Sequence, residues 1–237
     1  MKRKDFVQGS KDSLAIVIGY FSVSFTFGIV AAQAGITPAV ATFMSLTNVT
    51  SAGQFAGLNL IFAQSSYFEM ILTQLIINLR YGLMSLSLSQ HLDQNANTLK
   101  RLAIAFANTD EIFAVSVSRP GKVSSSYMAG LEIWPVISWA AGTFFGAFAN
   151  NLLPAAVSSA LGIALYGMFV AIVMPVARER KSVAGAAVFA AVLSLAFHYL
   201  PVLKNVSSGF SIIICTVAAS AVAALFFPIP EDDGGDA

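Results

Sequence analysis

Three stretches of this sequence hold residues able to do chemistry in apolar surroundings. Arg80 lies inside "IINLRYGLMSLSLS" (76–89), with Asn78 two residues before it and Tyr81 directly after. Asp110 and Glu111 lie inside "KRLAIAFANTDEIFAVSVSRP" (100–120). A third stretch, "TNVTSAGQF" (47–55), gathers Asn48, Thr50, Ser51 and Gln54. A guanidinium and a carboxylate can grip the two ends of a zwitterion, and a carboxylate can carry a proton. They can also neutralise one another in a static bridge between helices. Both readings require knowing what surrounds them.

The surroundings are a membrane. Of 237 residues, 57% are apolar and 11% charged, against about 25% charged in a typical soluble domain. Mean hydropathy is +0.75. Apolar blocks fall at roughly 13–35, 38–63, 67–90, 101–118, 127–149, 154–177, 182–201 and 207–227, each near the roughly 20 residues that cross a bilayer core. Backbone groups must be satisfied within lipid, which leaves helices or closed barrels. The blocks lack the alternation of barrel strands. The expected fold is an all-α polytopic membrane bundle of seven or eight segments in one transport domain, 1–237. Residues 1–12 form an N-terminal segment and 229–237 a short acidic, disordered tail.

Eight crossings place both termini on one side. Lys2, Arg3, Lys4 and Lys11 then share a face with Arg119, Lys122, Arg178, Arg180 and Lys181, leaving Lys100, Arg101 and Lys204 opposite. That nine-to-three split favours cytoplasmic termini. The apolar part of the first block, Leu14 to Gly35, exceeds the roughly 7–15 residues of a signal-peptide core, so it reads as a retained membrane helix. The polar cluster 47–55 is either a patch between packed helices or an unwound, re-entrant stretch. A short echo links "FGIVAAQAGITPA" (27–39) to "FGAFANNLLPA" (145–155), as internal repeats do in many transporters.

Arg80 is 13 residues from the start of its block and 10 from its end, too deep to snorkel. An uncompensated central arginine costs about 2.5–3.5 kcal/mol on insertion scales. On a helical wheel Gln74, Asn78, Tyr81, Ser85 and Ser89 share one side and Arg80 stands nearly opposite. This helix belongs inside a bundle or bends between Asn78 and Gly82. Asp110 or Glu111 is the expected partner. Along the helix expected for the fourth block, Asp110 faces Ala103, Ala107 and Ala114, while Glu111 shares its side with Asn108, Val115 and Ser118. One carboxylate would then bind Arg80 and the other exchange a proton. Glu69 and Glu132, near block ends, read as interfacial.

Several classes are unsupported. The net charge of +1 and the lack of a basic patch give no reason to expect nucleic acid. Two histidines and one cysteine supply no metal cluster, and no cofactor is expected. Neither a Gly-x-Ser-x-Gly elbow nor a phosphate-binding Gly-x-x-x-x-Gly-Lys-Ser/Thr loop occurs. A membrane enzyme built on His91, Asp93 or Glu132 lacks a nucleophile–base pair, so no enzymatic activity is expected.

Four motifs in order, "GYFSVSFTFG" (19–28), "TSAGQFAG" (50–57), "NLRYGLMSLSL" (78–88) and "NTDEIFA" (108–114), resemble the AzlC-type, azaleucine-resistance permeases. The resemblance implies export of branched-chain amino acids from a bacterial or archaeal inner membrane, with a small AzlD-type membrane protein as partner. Its cluster at 47–55 is more polar than that family's usual stretch, so other small apolar amino acids are open as substrates. A substrate carboxylate would meet Arg80 or a broken-helix N-terminus near 48–54. Its ammonium would meet Asp110 or Glu111, and Phe25, Phe27, Met44 and Phe55 could line a side-chain pocket or simply pack. Asn48, Gln54, Asn78, Arg80 and Tyr81 are thus the candidate substrate-binding residues, and Asp110 and Glu111 the proton-coupling residues or ion-pair partners. A proton-coupled secondary transporter leads; a passive channel or facilitator and a non-transporting support subunit are the alternatives. A homo-oligomer stays open.

Overall fold

The computed structural model describes residues 3–93, 96–150, 170, 173–203 and 205–227. The described residues contain no strand, only an isolated bridge between Leu92 and Val123. They form two compact units, Met1–Leu58 with Asn78–Tyr166, and Asn59–Ile77 with Gly167–Ala237. The tail 229–237 and most of the expected block 154–177 lie outside the described residues.

Among the described residues, five helices are long and apolar enough to cross a bilayer: Leu14–Gln33 (α2), Tyr67–His91 (α5), Ser125–Asn150 (α8), Lys181–Tyr199 and Ser208–Phe226. The remaining blocks behave differently. Block two divides into Pro38–Thr47 (α3) and Ser51–Phe62 (α4), and block four into Thr98–Ala107 (α6) and Asp110–Val117 (α7). The single helix expected over 101–118 is therefore wrong. Asn108 closes α6 in extended backbone, and Thr109 caps α7, its hydroxyl accepting from Ile112 N at 3.5 Å. Local side-chain capping competes with helix continuation, and Asn-Thr-Asp supplies it here.

Neither break is a straight interruption. Gln54 Nε2 donates to Ser45 Oγ at 2.5 Å across nine residues. Straight helix would hold these residues about 13.5 Å apart, beyond the reach of the two side chains, so the chain bends sharply at 48–50. In the second pair, both ends are tied to the last turns of α5. Arg101 Nη1 donates to Ser89 O (2.8 Å), and Val123 N, beyond α7, to His91 O (2.9 Å). The chain thus enters α6 and leaves α7 at the same end. This corrects the charge map as well: Lys100 and Arg101 lie on the side of Arg119 and Lys122, not opposite them.

The N-terminal segment is ordered as helix Arg3–Asp12 (α1), separated from α2 only by Ser13. Glycines set its packing. Gly9 meets the backbone of Tyr127 and Leu131, Gly28 that of Thr143 and Ala147, Gly142 that of Phe21, and Gly146 that of Phe25. A Cβ on Gly28 would fall 2.6 Å from Ala147 N, so only glycine permits this approach. Contact positions rise together along both partners, so α1–α2 and α8 run parallel. The two Phe-Gly steps of the sequence echo, 27–28 and 145–146, lie side by side. At the α1 end, Asp12 Oδ2 accepts from Arg119 Nη1 (3.2 Å) and Tyr127 Oη (2.8 Å), and Ser124 Oγ donates to Asp5 (2.7 Å).

In the second unit, Glu69, in the first turn of α5, is buried against a neighbouring helix. Its Oε1 accepts from Ser207 Oγ (2.5 Å) and Gly209 N (2.8 Å). A carboxylate satisfying the first amides of helix Ser208–Phe226 complements that helix's dipole, and it does so from a helix distant in sequence.

Candidate functional site

The two helix breaks of the first unit hold two polar clusters, joined by aromatic rings. The first cluster is neutral and closed. Thr143 and Trp139, one turn apart on α8, face Ser45 and Gln54 on either side of the 48–50 break. Trp139 Nε1 donates to Gln54 Oε1 (2.9 Å), Gln54 Nε2 to Ser45 Oγ, and Ser45 Oγ shares a 2.6 Å hydrogen bond with Thr143 Oγ1. Gln54 is 1% exposed and Thr143 0%. Such a buried network is stable because its members satisfy one another. At the break itself Thr50 Oγ1 donates to Asn48 Oδ1 at 2.7 Å.

Tyr20 connects this cluster to the second. Its ring meets Trp139 edge-on, centroids 5.3 Å apart and planes at 70°. Its hydroxyl donates to Glu111 Oε2 at 2.8 Å and is hydrogen-bonded to Thr109 Oγ1. The second cluster is charged and open. Arg80 Nη1 and Asp110 Oδ2 form an ion pair at 2.5 Å, with 49% and 47% of the side chains uncovered. Arg80 Nη2 donates to Tyr81 Oη at 3.1 Å, and the guanidinium carbon lies 4.8 Å from the Tyr81 ring centre. Asp110 and Glu111 occupy the first turn of α7, where the helix's positive end favours carboxylates. Asn108 Nδ2 donates to Ser85 Oγ at 3.2 Å, holding this break against α5.

The candidate residues are thus divided. Arg80, Tyr81 and Asp110 meet in one cluster. Glu111 stands beside it on Tyr20, Gln54 belongs to the closed network, and Asn48 serves its own break. Asn78 sits partly buried two residues ahead of Arg80. Among the suggested pocket residues, Phe27 and Phe55 are buried and stack edge-on at 5.2 Å, which is packing. Sequence reasoning missed Tyr20, Ser45, Thr109, Trp139 and Thr143. Tyr20 lies within a quoted motif, and Trp139 with Thr143 shows helical spacing of polar-capable groups, but both signals sit in strongly apolar blocks.

The arrangement can hold a polar solute. It offers a guanidinium, two carboxylates and interrupted backbone, with half of the ion pair left for a further contact. The described residues show no group of His, Cys, Asp and Glu suited to a metal.

Comparison with known proteins agrees with the quoted motifs. The family model described as "AzlC protein" matches residues 15–153, which include α2 through α8 and both interrupted pairs. The chain is 30% identical over 235 residues to "Inner membrane protein YgaZ" of Escherichia coli (strain K12), covering 96% of this chain and 94% of that protein. It is 32% identical over 197 residues to an "Uncharacterized membrane protein" of Archaeoglobus fulgidus, covering 82% and 85%. A Helicobacter pylori (strain J99) protein bearing the same description is 32% identical over 155 residues, covering 62% of this chain and 67% of that one. No solved structure matches the chain. With its family match spanning more than half of its length and a relative matched almost end to end, this chain is an integral membrane protein of the AzlC family.

Proposed function

We propose that the chain is a permease that exports branched-chain or other small apolar amino acids from a bacterial or archaeal cell. It acts as a proton-coupled secondary transporter and as the large subunit beside a small AzlD-type membrane protein. The observation that carries this reading is the half-uncovered Arg80–Asp110 pair at the break between α6 and α7. Each member of an opened pair suits one end of a zwitterion: guanidinium for carboxylate, carboxylate for ammonium. The interrupted helix puts N-terminal amides at the same level, as in transporters whose sites lie at broken helices. Tyr20, between Glu111 and Trp139, links that site to the neutral network.

The N-terminus is cytoplasmic in this reading. Arg3, Lys4, Lys11, Lys100, Arg101, Arg119 and Lys122 gather at the end of the first unit where α2 and α8 begin, and positive residues favour the cytoplasmic side. Side-by-side Phe-Gly steps in parallel α2 and α8 support an internal repeat starting at each of these helices.

Efflux of labelled valine or leucine from preloaded vesicles, with the AzlD-type partner present, tests the proposal. Saturable, pH-dependent efflux is expected in wild type, and its loss in Arg80→Ala and Asp110→Asn at unchanged protein level. Unsaturable, pH-independent flux would replace the transporter with a passive facilitator. Absence of flux with every amino acid tried would leave a support subunit.

A further inference from the structure

A second polar site lies away from both breaks. Glu132 stands in the eighth position of α8 and is only 7% exposed. Its Oε1 has no hydrogen-bond partner, and neither does the buried Oγ of Ser125. Both line a cavity of about 300 Å³ between α6 and α8, together with Lys100, Ala103, Ser126 and Ala129. Ser125, Ala129 and Glu132 follow the i, i+4, i+7 stripe of one helix face. The cavity therefore runs from the start of α8 inward for about 10 Å, at 1.5 Å per residue, and ends on a carboxyl group.

Among the described residues no ion pair reaches Glu132: on α1 Arg3, Lys4 and Lys11 are exposed, and on α6 Arg101 is bonded to Ala96 and Ser89. Helices α1, α2, α3, α6 and α7 pack on α8. From α1, Asp5 and Asp12 are bonded to Ser124 and to Arg119 with Tyr127. α2 and α3 hold no charged residue, and Tyr20 is bonded to Glu111. On α7, Asp110 is paired with Arg80 and Glu111 with Tyr20. From α6, Lys100 lines the cavity itself. A buried carboxyl without an ion pair favours its protonated form, and a cavity that leads to it lets protons reach it. Seven residues further along α8, within about 20° of the same direction, stands Trp139, the indole that joins Gln54 to Tyr20.

We propose that Glu132 is the residue that takes up the coupled proton through the α6–α8 cavity and releases it toward the opposite side in the alternate state, while Asp110 and Glu111 remain engaged in the site. The carboxylate is protonated by hydronium relayed from bulk through cavity water, and in the alternate state of the transport cycle it gives that proton to water on the opposite side. This rests on the transporter reading given above. Ionisable residues within membrane segments carry such relays in pumps and transporters.

The test compares full-length wild type and Glu132→Gln with the small partner in vesicles, using three readouts. Exchange of labelled valine at equal pH needs no net proton movement and should stay within about two-fold of wild type. Efflux driven by a pH gradient should fall about a hundred-fold, the lower range for losing a positioned proton donor. Infrared difference spectra between acid and alkaline buffer should lose one protonated-carboxyl component. Retained gradient-driven efflux, exchange lost together with efflux in a well-folded variant, or an unchanged infrared band would each overturn the proposal. Where Glu132→Gln does not fold, Glu132→Asp should shift the pH at which that band titrates, and no shift would overturn it. If wild type moves no amino acid, the transporter reading falls, and the infrared band alone decides whether Glu132 binds the proton.

Discussion

The two interrupted helices use similar sequence chemistry for opposite ends. Each break opens on an asparagine and reaches a threonine within two residues: Asn48-Val49-Thr50 and Asn108-Thr109. At the first, an amide, two hydroxyls and an indole close on one another, out of contact with any solvent or ligand. At the second, a guanidinium and a carboxylate meet with half of each side chain uncovered. A buried neutral network rewards completeness and resists change. A partly open ion pair contributes little to stability and can exchange its partner. In the proposed transporter, the first break serves architecture and the second serves exchange.

The largest effect should come from removing the centre of the closed network. Trp139→Ala takes away a buried ring and orphans Gln54, and should cost about 3–5 kcal/mol, read as a lower midpoint in chemical denaturation in detergent. Gly146→Val should come next. Its new side chain meets the Phe25 backbone, and overpacking of this kind costs roughly 1–3 kcal/mol. Lost association of α2 with α8 would show as accelerated proteolysis. Gln54→Leu keeps volume but strands the Trp139 N–H and the Ser45 hydroxyl, a cost of about 1–3 kcal/mol. A stability change near zero would break the contrast by showing the first cluster to be loosely held.

At the other break the order reverses, with function lost and stability kept. With water at the uncovered half of the pair, Asp110→Asn and Arg80→Ala should each shift stability by no more than about 1 kcal/mol yet abolish efflux. An Asp110→Asn cost near the roughly 2.5–3.5 kcal/mol of an uncompensated central arginine would instead place the pair in lipid. A loss of several kcal/mol would show the pair to be structural. The smallest change is Tyr20→Phe, which removes one hydroxyl and should cost about 1 kcal/mol. It sharpens the comparison by asking whether the two clusters communicate: if they do, efflux slows although both clusters survive.

Much of this was legible in the residues. Block length and low charge specify an all-helical membrane protein, and the depth of Arg80 demands the carboxylate that Asp110 supplies. The polar run 47–55 announces the first break. The second break is hidden because "ANTDE" contributes charge to an apolar block of 18 residues, a length equally suited to one crossing or to two half-helices folded back. Asn108 and Thr109 carry the capping chemistry, but only the bonds to Ser89 and His91 reveal that the chain returns to the end it came from. Trp139 and Tyr20 read as apolar bulk until their partners arrive from 85 and 91 residues away. Glu132 and Glu69 look interfacial by position alone. Their burial depends on neighbours brought by α6 and by the helix Ser208–Phe226.

The glycine contacts between α2 and α8 have a mechanical consequence. Where backbone touches backbone there is no layer of side chains to change rotamer, and sliding of packed helices works through small adjustments in such a layer. The α2–α8 pair therefore behaves as a fixed mast. In the proposed transport cycle, displacement would fall to segments whose ladder of amide bonds is already cut, at 48–50 and 108–109. Both points are tethered to the mast, by Gln54 on Trp139 and by Thr109 on Tyr20, so the gates of the proposed transporter would hang from a closely packed helix pair.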